Sequence, residues 1–139
     1  MMIGILLALQ LTCYPVDQEL NTNNFHETIN CFKGNKQVAV VSSWTPLIQN
    51  HFKEEDQRRA LRIIYCESTG RSDAVGVNKD GSKDIGLWQF NDHTWDWLKN
   101  KLNITSPRTD PIISTKVAKW LVYNDGWYHW NSSKHCWGD

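Results

Sequence analysis

Between residues 72 and 91 the chain reads SDAVGVNKDGSKDIGLWQFN, a polar, glycine-punctuated tract that cannot continue as helix. The segments on either side of it are patterned as helices. Asn78-Lys79-Asp80-Gly81-Ser82 is a turn cluster, and Asp80-Gly81 within it is a strong hairpin signal. The tract predicts a small antiparallel hairpin or three-stranded sheet, with Ile85 to Phe90 as its last strand. A β element of this size inside a helical chain restricts the fold class to α+β, mainly helical with a small antiparallel β-hairpin lobe.

The helix before this tract can be followed residue by residue. Glu54, Glu55 and Asp56 place acids in its first turn, where they suit the helix dipole. Ala60, Leu61 and Ile64 recur at helical spacing, and Ile63 widens the apolar stripe. Glu67 lies three and four residues beyond Ile64 and Ile63, so it continues the same face. A carboxyl there is partly desolvated and near the negative end of the dipole. Both conditions favour its protonated form, as a general acid at neutral pH requires.

Elsewhere the signals are plainer. Thr45-Pro46 predicts a cap and a first-turn proline for a short helix through about Phe52. Thr94 begins another, to about Leu102. Asp110-Pro111 opens a helix whose buried stripe is expected to be Ile113, Val117, Trp120 and Leu121, stopped by Gly126. Val38 to Val41 is a short β-branched run, either a strand or a packed extended segment.

At 139 residues the chain is one domain, and its 15 basic and 15 acidic residues balance. That balance excludes the electrostatic footprint of a nucleic-acid or anionic-membrane binder. Eight tryptophans could be core, or could line a sugar-binding cleft. Residues 1–15 read as a signal peptide built on the apolar run Met1 to Leu11, although no Lys or Arg precedes that run. The competing reading is an apolar helix packed on the domain. Residues 16–43 read as a polar leader and 44–139 as the catalytic domain. Asn103-Ile104-Thr105 and Asn131-Ser132-Ser133 are N-glycosylation sequons, in keeping with secretion.

Cleavage of a glycosidic bond needs an acid for the leaving oxygen and a group that traps or stabilises the cationic sugar. Glu67 on an apolar helix end and Asp84 in a polar strand region are the natural pair. By themselves they could equally be a helix-end Glu and a turn Asp.

Context strengthens the pair. Glu67-Ser68, then Asn78, Asp80-Gly81-Ser82, Asp84, Gly86, Gln89 and Asn91 resemble the active-site segment of C-type animal lysozymes, onto which they can be laid without a gap. Cys66-Glu67-Ser68 and Gly86-Leu87-Trp88-Gln89 also resemble lytic transglycosylases of the soluble type and bacterial resuscitation-promoting factors. All belong to the lysozyme-like superfamily. The resemblance implies a cleft between the helical part and the hairpin lobe, with Glu67 as general acid and Asp84 as second carboxylate. It places Gln89 and Asn91 among substrate-binding positions, Asn78 beside the second carboxylate, and Trp127 as the tryptophan walling in Glu67. It also implies a Cys66–Cys136 disulfide, leaving Cys13 and Cys31 to pair if both survive processing.

The chain has four cysteines where C-type lysozymes have eight, so it is not an ordinary member of that group. The expected activity is a muramidase that cleaves the β-1,4 bond between N-acetylmuramic acid and N-acetylglucosamine. The alternatives are a lytic transglycosylase leaving 1,6-anhydro ends and a catalytically silent glycan-binding protein. The expected partner is peptidoglycan glycan strands, met outside the cell by a monomer. No cofactor, metal, nucleic acid or, after processing, membrane is expected. A metal site built from His129, His135 and Cys136 lacks the spacing of known ligand motifs.

Overall fold

The computed structural model describes residues 43–138. The signal-peptide reading, the leader apart from its last residue, the run Val38 to Val41, Cys13 and Cys31 lie outside the described residues.

Helix α1, Thr45–His51, begins one residue earlier than its sequence suggests. Trp44 is the N-cap and Thr45 is already helical, buried, with its hydroxyl unpaired among the described residues. Pro46 still sits in the first turn, where its missing N–H costs nothing. Helix α2, Glu54–Ser68, carries all three acids in its first turn. It buries Ala60, Leu61, Ile63 and Ile64 along one face, as the periodicity predicts. Thr69 ends it in the left-handed conformation, φ 52°, with Gly70 following at φ 79°.

Three short strands form one antiparallel sheet in sequence order: β1 Val75–Val77, β2 Lys83–Ile85 and β3 Phe90–Asn91. The expected hairpin closes through the Asn78–Ser82 turn, with Asn78 N–H donating to the Ser82 carbonyl at 2.8 Å and Gly81 at φ 85°. Ile85 to Phe90 is not one strand. Ile85 ends β2, residues 86–89 turn, and Phe90 starts β3. Gly86 at φ 88° and Gln89 at φ 49° bend the chain there, and the bend puts Leu87 and Trp88 fully into the core. An extended run would have sent these neighbours to opposite faces.

Helix α3, Asp92–Leu102, starts two residues before Thr94 because Asn91 caps it, accepting from the His93 N–H at 3.1 Å. Asp110 caps α4, Pro111–Asn124, through the N–H groups of Ile112 and Ile113. Gly126 follows its end at φ 98°. The buried face of α4 holds the expected Val117 and Leu121, but Ser114, Thr115, Ala118 and Val122 complete it, while Ile113 and Trp120 are only half-buried. Small residues belong on this face because Trp88 packs there, its Nε1–H donating to the Thr115 hydroxyl at 3.0 Å.

The chain ends in a 3-10 turn, Trp127–Ser133, and a single helical turn, α5, Lys134–Trp137. An aromatic spine joins this tail to the rest: Phe52 stacks on Trp88 at 5.6 Å, Trp88 meets Trp130 at 5.4 Å, and Phe90 meets Trp95 at 5.4 Å. Most of the tryptophans therefore serve the core. Among the described residues no helix is long and apolar enough to cross a membrane.

Candidate active site

The last turn of α2 is fastened on three sides. Cys66 is joined to Cys136 by a disulfide spanning 70 residues of sequence. The Ser68 hydroxyl lies 3.0 Å from the Ile64 carbonyl and 2.8 Å from that of Leu87, which ties the helix end to the 86–89 turn. Glu67, between them, is half-buried, and its Oε1 accepts from the Ser133 hydroxyl. Burial raises the Glu67 pKa above 4.5. The Ser133 hydrogen bond opposes that rise and the nearby charge of Asp84 adds to it.

Asp84 occupies the middle of the central strand, facing Gly76 in β1 and Asn91 in β3. Both carboxylate oxygens are held by amides: Oδ1 accepts from Asn91 Nδ2 at 2.8 Å and Oδ2 from Asn78 Nδ2 at 3.1 Å. The Ser82 hydroxyl lies 3.1 Å from both amide nitrogens and bonds Asp80 at 2.7 Å, so the hairpin turn itself orients the two asparagines. Gln89 fastens the opposite edge, donating to the carbonyls of Gly86 at 2.8 Å and Ala74 at 3.1 Å. Gly76 leaves it room, since a Cβ there would stand 3.2 Å from Gln89 Oε1.

These groups meet in a cleft of about 180 Å³ between the helical part and the sheet. Glu67 enters from α2 and Asp84 from β2. Gln89, Phe90 and Asn91 line it from the turn and β3, Thr94 from α3, and His129, Trp130 and Ser132 from the 3-10 turn. Asp84 therefore shares one cavity with Glu67.

Two of the residues named for substrate binding do not line the cleft. Asn78 is exposed and bonds Asp84, the place beside the second carboxylate that the resemblance implies. Trp127 does not line the cleft; it stacks on Phe52 at 6.0 Å beneath the Arg59 guanidinium. The tryptophan in the cleft is Trp130, 3% exposed, with Nε1–H donating to the Trp88 carbonyl at 3.0 Å. A kink at Trp130, φ −108° and ψ 20°, interrupts the turn, and the two rings lie 6.3 Å apart. Trp130, His129 and Ser132 carry no linear signal beyond the aromatic density of the tail. Cys136 is oxidised and so is no thiolate ligand, and no metal-binding cluster occurs among the described residues.

Comparison with known proteins agrees with this architecture. The sequence profile of the Transglycosylase SLT domain matches residues 48–126, more than half of the chain. A lysozyme of Galleria mellonella is 39% identical over 97 residues, covering 61% of this chain and 78% of that protein. A lysozyme of Bombyx mori is 28% identical over 102 residues, covering 66% and 73%. One from Hyalophora cecropia is 29% identical over 130 residues, covering 86% and 73%. Fold, cleft and relatives together define a glycan-cleaving enzyme of the lysozyme-like kind. The chain belongs to the Transglycosylase SLT domain family, within the lysozyme-like superfamily.

Proposed function

We propose that the protein is a muramidase, hydrolysing the β-1,4 bond between N-acetylmuramic acid and N-acetylglucosamine in peptidoglycan, with Glu67 as general acid. The observation that supports this most is the difference between two carboxyls lining one cleft. Glu67 is held toward its neutral form by burial, whereas Asp84 has both oxygens accepting amide hydrogens, the bonding pattern of a carboxylate. In this reading Glu67 protonates the departing oxygen while Asp84 stabilises or attacks the cationic sugar carbon. Ionised Glu67 then draws a proton from the incoming water, retaining the anomeric configuration. Gln89 and Asn91 face the sugar, Asn78 and Asn91 hold Asp84, and Trp127 backs Trp130.

The domain would work as a secreted monomer. The N-terminal apolar run, the disulfide and the two sequons support an extracellular setting, with residues 1–15 removed, 16–43 as leader and 44–139 as the catalytic domain. An antibacterial or digestive role follows from the substrate. Both sequon asparagines, Asn103 and Asn131, are exposed and could carry glycans.

The profile match favours a second reading, in which the substrate's own hydroxyl attacks and leaves 1,6-anhydro ends. Mass spectrometry of purified peptidoglycan digested by the wild type separates the two. Reducing muramic ends establish hydrolysis, and anhydro ends establish transglycosylation. Wild-type activity in Glu67→Gln would refute the role of Glu67. A large loss in Asp84→Asn supports the two-carboxylate route, and little change favours the single-acid route.

A further inference from the structure

The Ser133 hydroxyl touches two acceptors, Glu67 Oε1 and, at 3.1 Å, the Trp130 carbonyl, although it has only one hydrogen to give. It is half-buried and stands behind Glu67, outside the cleft lining, so it engages one carboxyl oxygen and leaves the other to the substrate. When Glu67 is ionised, the hydroxyl donates to Oε1. When Oε2 carries the proton that the departing oxygen receives, Oε1 still accepts from the hydroxyl, whose alternative acceptor is the Trp130 carbonyl. Each state is satisfied without moving the carboxyl. We propose that Ser133 is a positioning residue that keeps the Glu67 carboxyl in one place through both of its protonation states. The inference rests on the reading of Glu67 as general acid and then general base, since only a group that gives up and regains a proton needs such a partner.

Among the described residues, Ser133 is the hydrogen-bond partner of the Glu67 carboxyl. Asp84 faces Glu67 across the cleft as a like charge. His129, also in the cleft, is paired through Nε2 with Asp125 at 3.3 Å. On α5, Lys134 and His135 are exposed, and on α2 the Arg62 guanidinium donates to the Gly138 carbonyl at 3.1 Å. Because a hydrogen bond to a carboxylate is stronger than one to a neutral carboxyl, the net effect of Ser133 favours the ionised form. Its removal therefore has two consequences: a less well-placed acid, and an acid that holds its proton to higher pH.

Ser133→Thr and Ser133→Val form the decisive pair, equal in shape and different in the hydroxyl, with Ser133→Ala as a second removal variant. Ser133 also belongs to the Asn131 sequon, which Val and Ala would abolish, so all variants are compared on an Asn131→Gln background. Rates are measured on solubilised peptidoglycan chains across pH, per molecule of folded enzyme. Val and Ala are expected to lower kcat about 10- to 100-fold with KM within about twofold, and to move the basic limb of kcat to higher pH. Thr is expected to recover most of the rate. A merely structural serine would lower the melting temperature with kcat and the limb unmoved, and that result overturns the proposal. So does a Thr variant as slow as Val. If Glu67→Gln is inactive while Val equals Thr, only the role of Ser133 fails. If Glu67→Gln is as active as wild type, the assignment of the acid fails and takes this inference with it.

Discussion

Replacing Cys66 and Cys136 together by alanine should cost stability more than chemistry. The bond closes a loop of 70 residues, and in the chain-entropy account its removal returns about 4 kcal/mol of freedom to the unfolded chain. Domains of this size have total stabilities of about 5–15 kcal/mol, so the variant remains folded at 25 °C with a thin margin. At about 4–8 °C per kcal/mol, the melting temperature should fall by about 15–30 °C. The unfolded chain also becomes less compact, so the dependence of stability on denaturant should steepen.

The catalytic consequence differs because other contacts hold the tail in place. Trp130 Nε1–H donates to the Trp88 carbonyl at 3.0 Å and Trp137 Nε1–H to the Trp130 carbonyl at 2.8 Å, with both rings buried. At 25 °C the double variant should keep kcat on peptidoglycan within a few-fold of the wild type. Thermal unfolding by circular dichroism and initial rates on the same samples check both parts. A fall of less than about 5 °C would refute the entropic reasoning. A well-folded variant without activity would show that the disulfide, rather than the aromatic spine, places the 3-10 turn.

Three further outcomes follow from single contacts. Gly86→Ala should destabilise by more than the roughly 1–2 kcal/mol of the left-handed conformation, because a Cβ there would stand 2.3 Å from the Arg108 carbonyl oxygen; urea denaturation measures it. Trp130→Phe removes the donor to the Trp88 carbonyl and opens space in the core. A loss of about 2–4 kcal/mol is expected, with the basic limb of activity at lower pH because Glu67 is less desolvated. Glu67→Gln should leave stability unchanged in acid and raise it in alkali. A carboxyl whose folded pKa lies above 4.5 binds its proton more tightly folded than unfolded, so the wild type loses stability as pH rises from 4.5 through the folded value. Melting curves at pH 4 and pH 8 decide it, and a Gln variant less stable at pH 8 would contradict the sign.

The parts of this fold that were legible in the sequence are those set by local chemistry. The acids of α2, the Asp110-Pro111 start and the Asp80-Gly81 turn each act within a few residues and leave a linear trace. The half-buried place of Glu67 on α2 was legible for the same reason, being in register with Ile63 and Ile64. The misread stretch, Ile85 to Phe90, fails where a tertiary demand overrides the local pattern. Trp88 must reach Thr115 on α4, and a turn through Gly86 and Gln89 delivers it where a strand could not. Trp127 and Trp130 were indistinguishable by composition. The three-dimensional packing, with Trp127 stacked on Phe52 and Trp130 in the cleft wall, is what separates them.

Trp130 also takes part in two opposing influences on Glu67. Trp130 supplies apolar wall to the cleft around Glu67, and its carbonyl is the second acceptor for the Ser133 hydroxyl, which bonds Glu67. Burial raises the Glu67 pKa, the Ser133 hydrogen bond opposes the rise and the Asp84 charge adds to it, so the 3-10 turn supplies the opposing bond and part of the cleft wall. The profile match stops at residue 126, immediately before this turn. Glu67 and Asp84 thus lie within the matched stretch, while Trp130 and Ser133 lie beyond it.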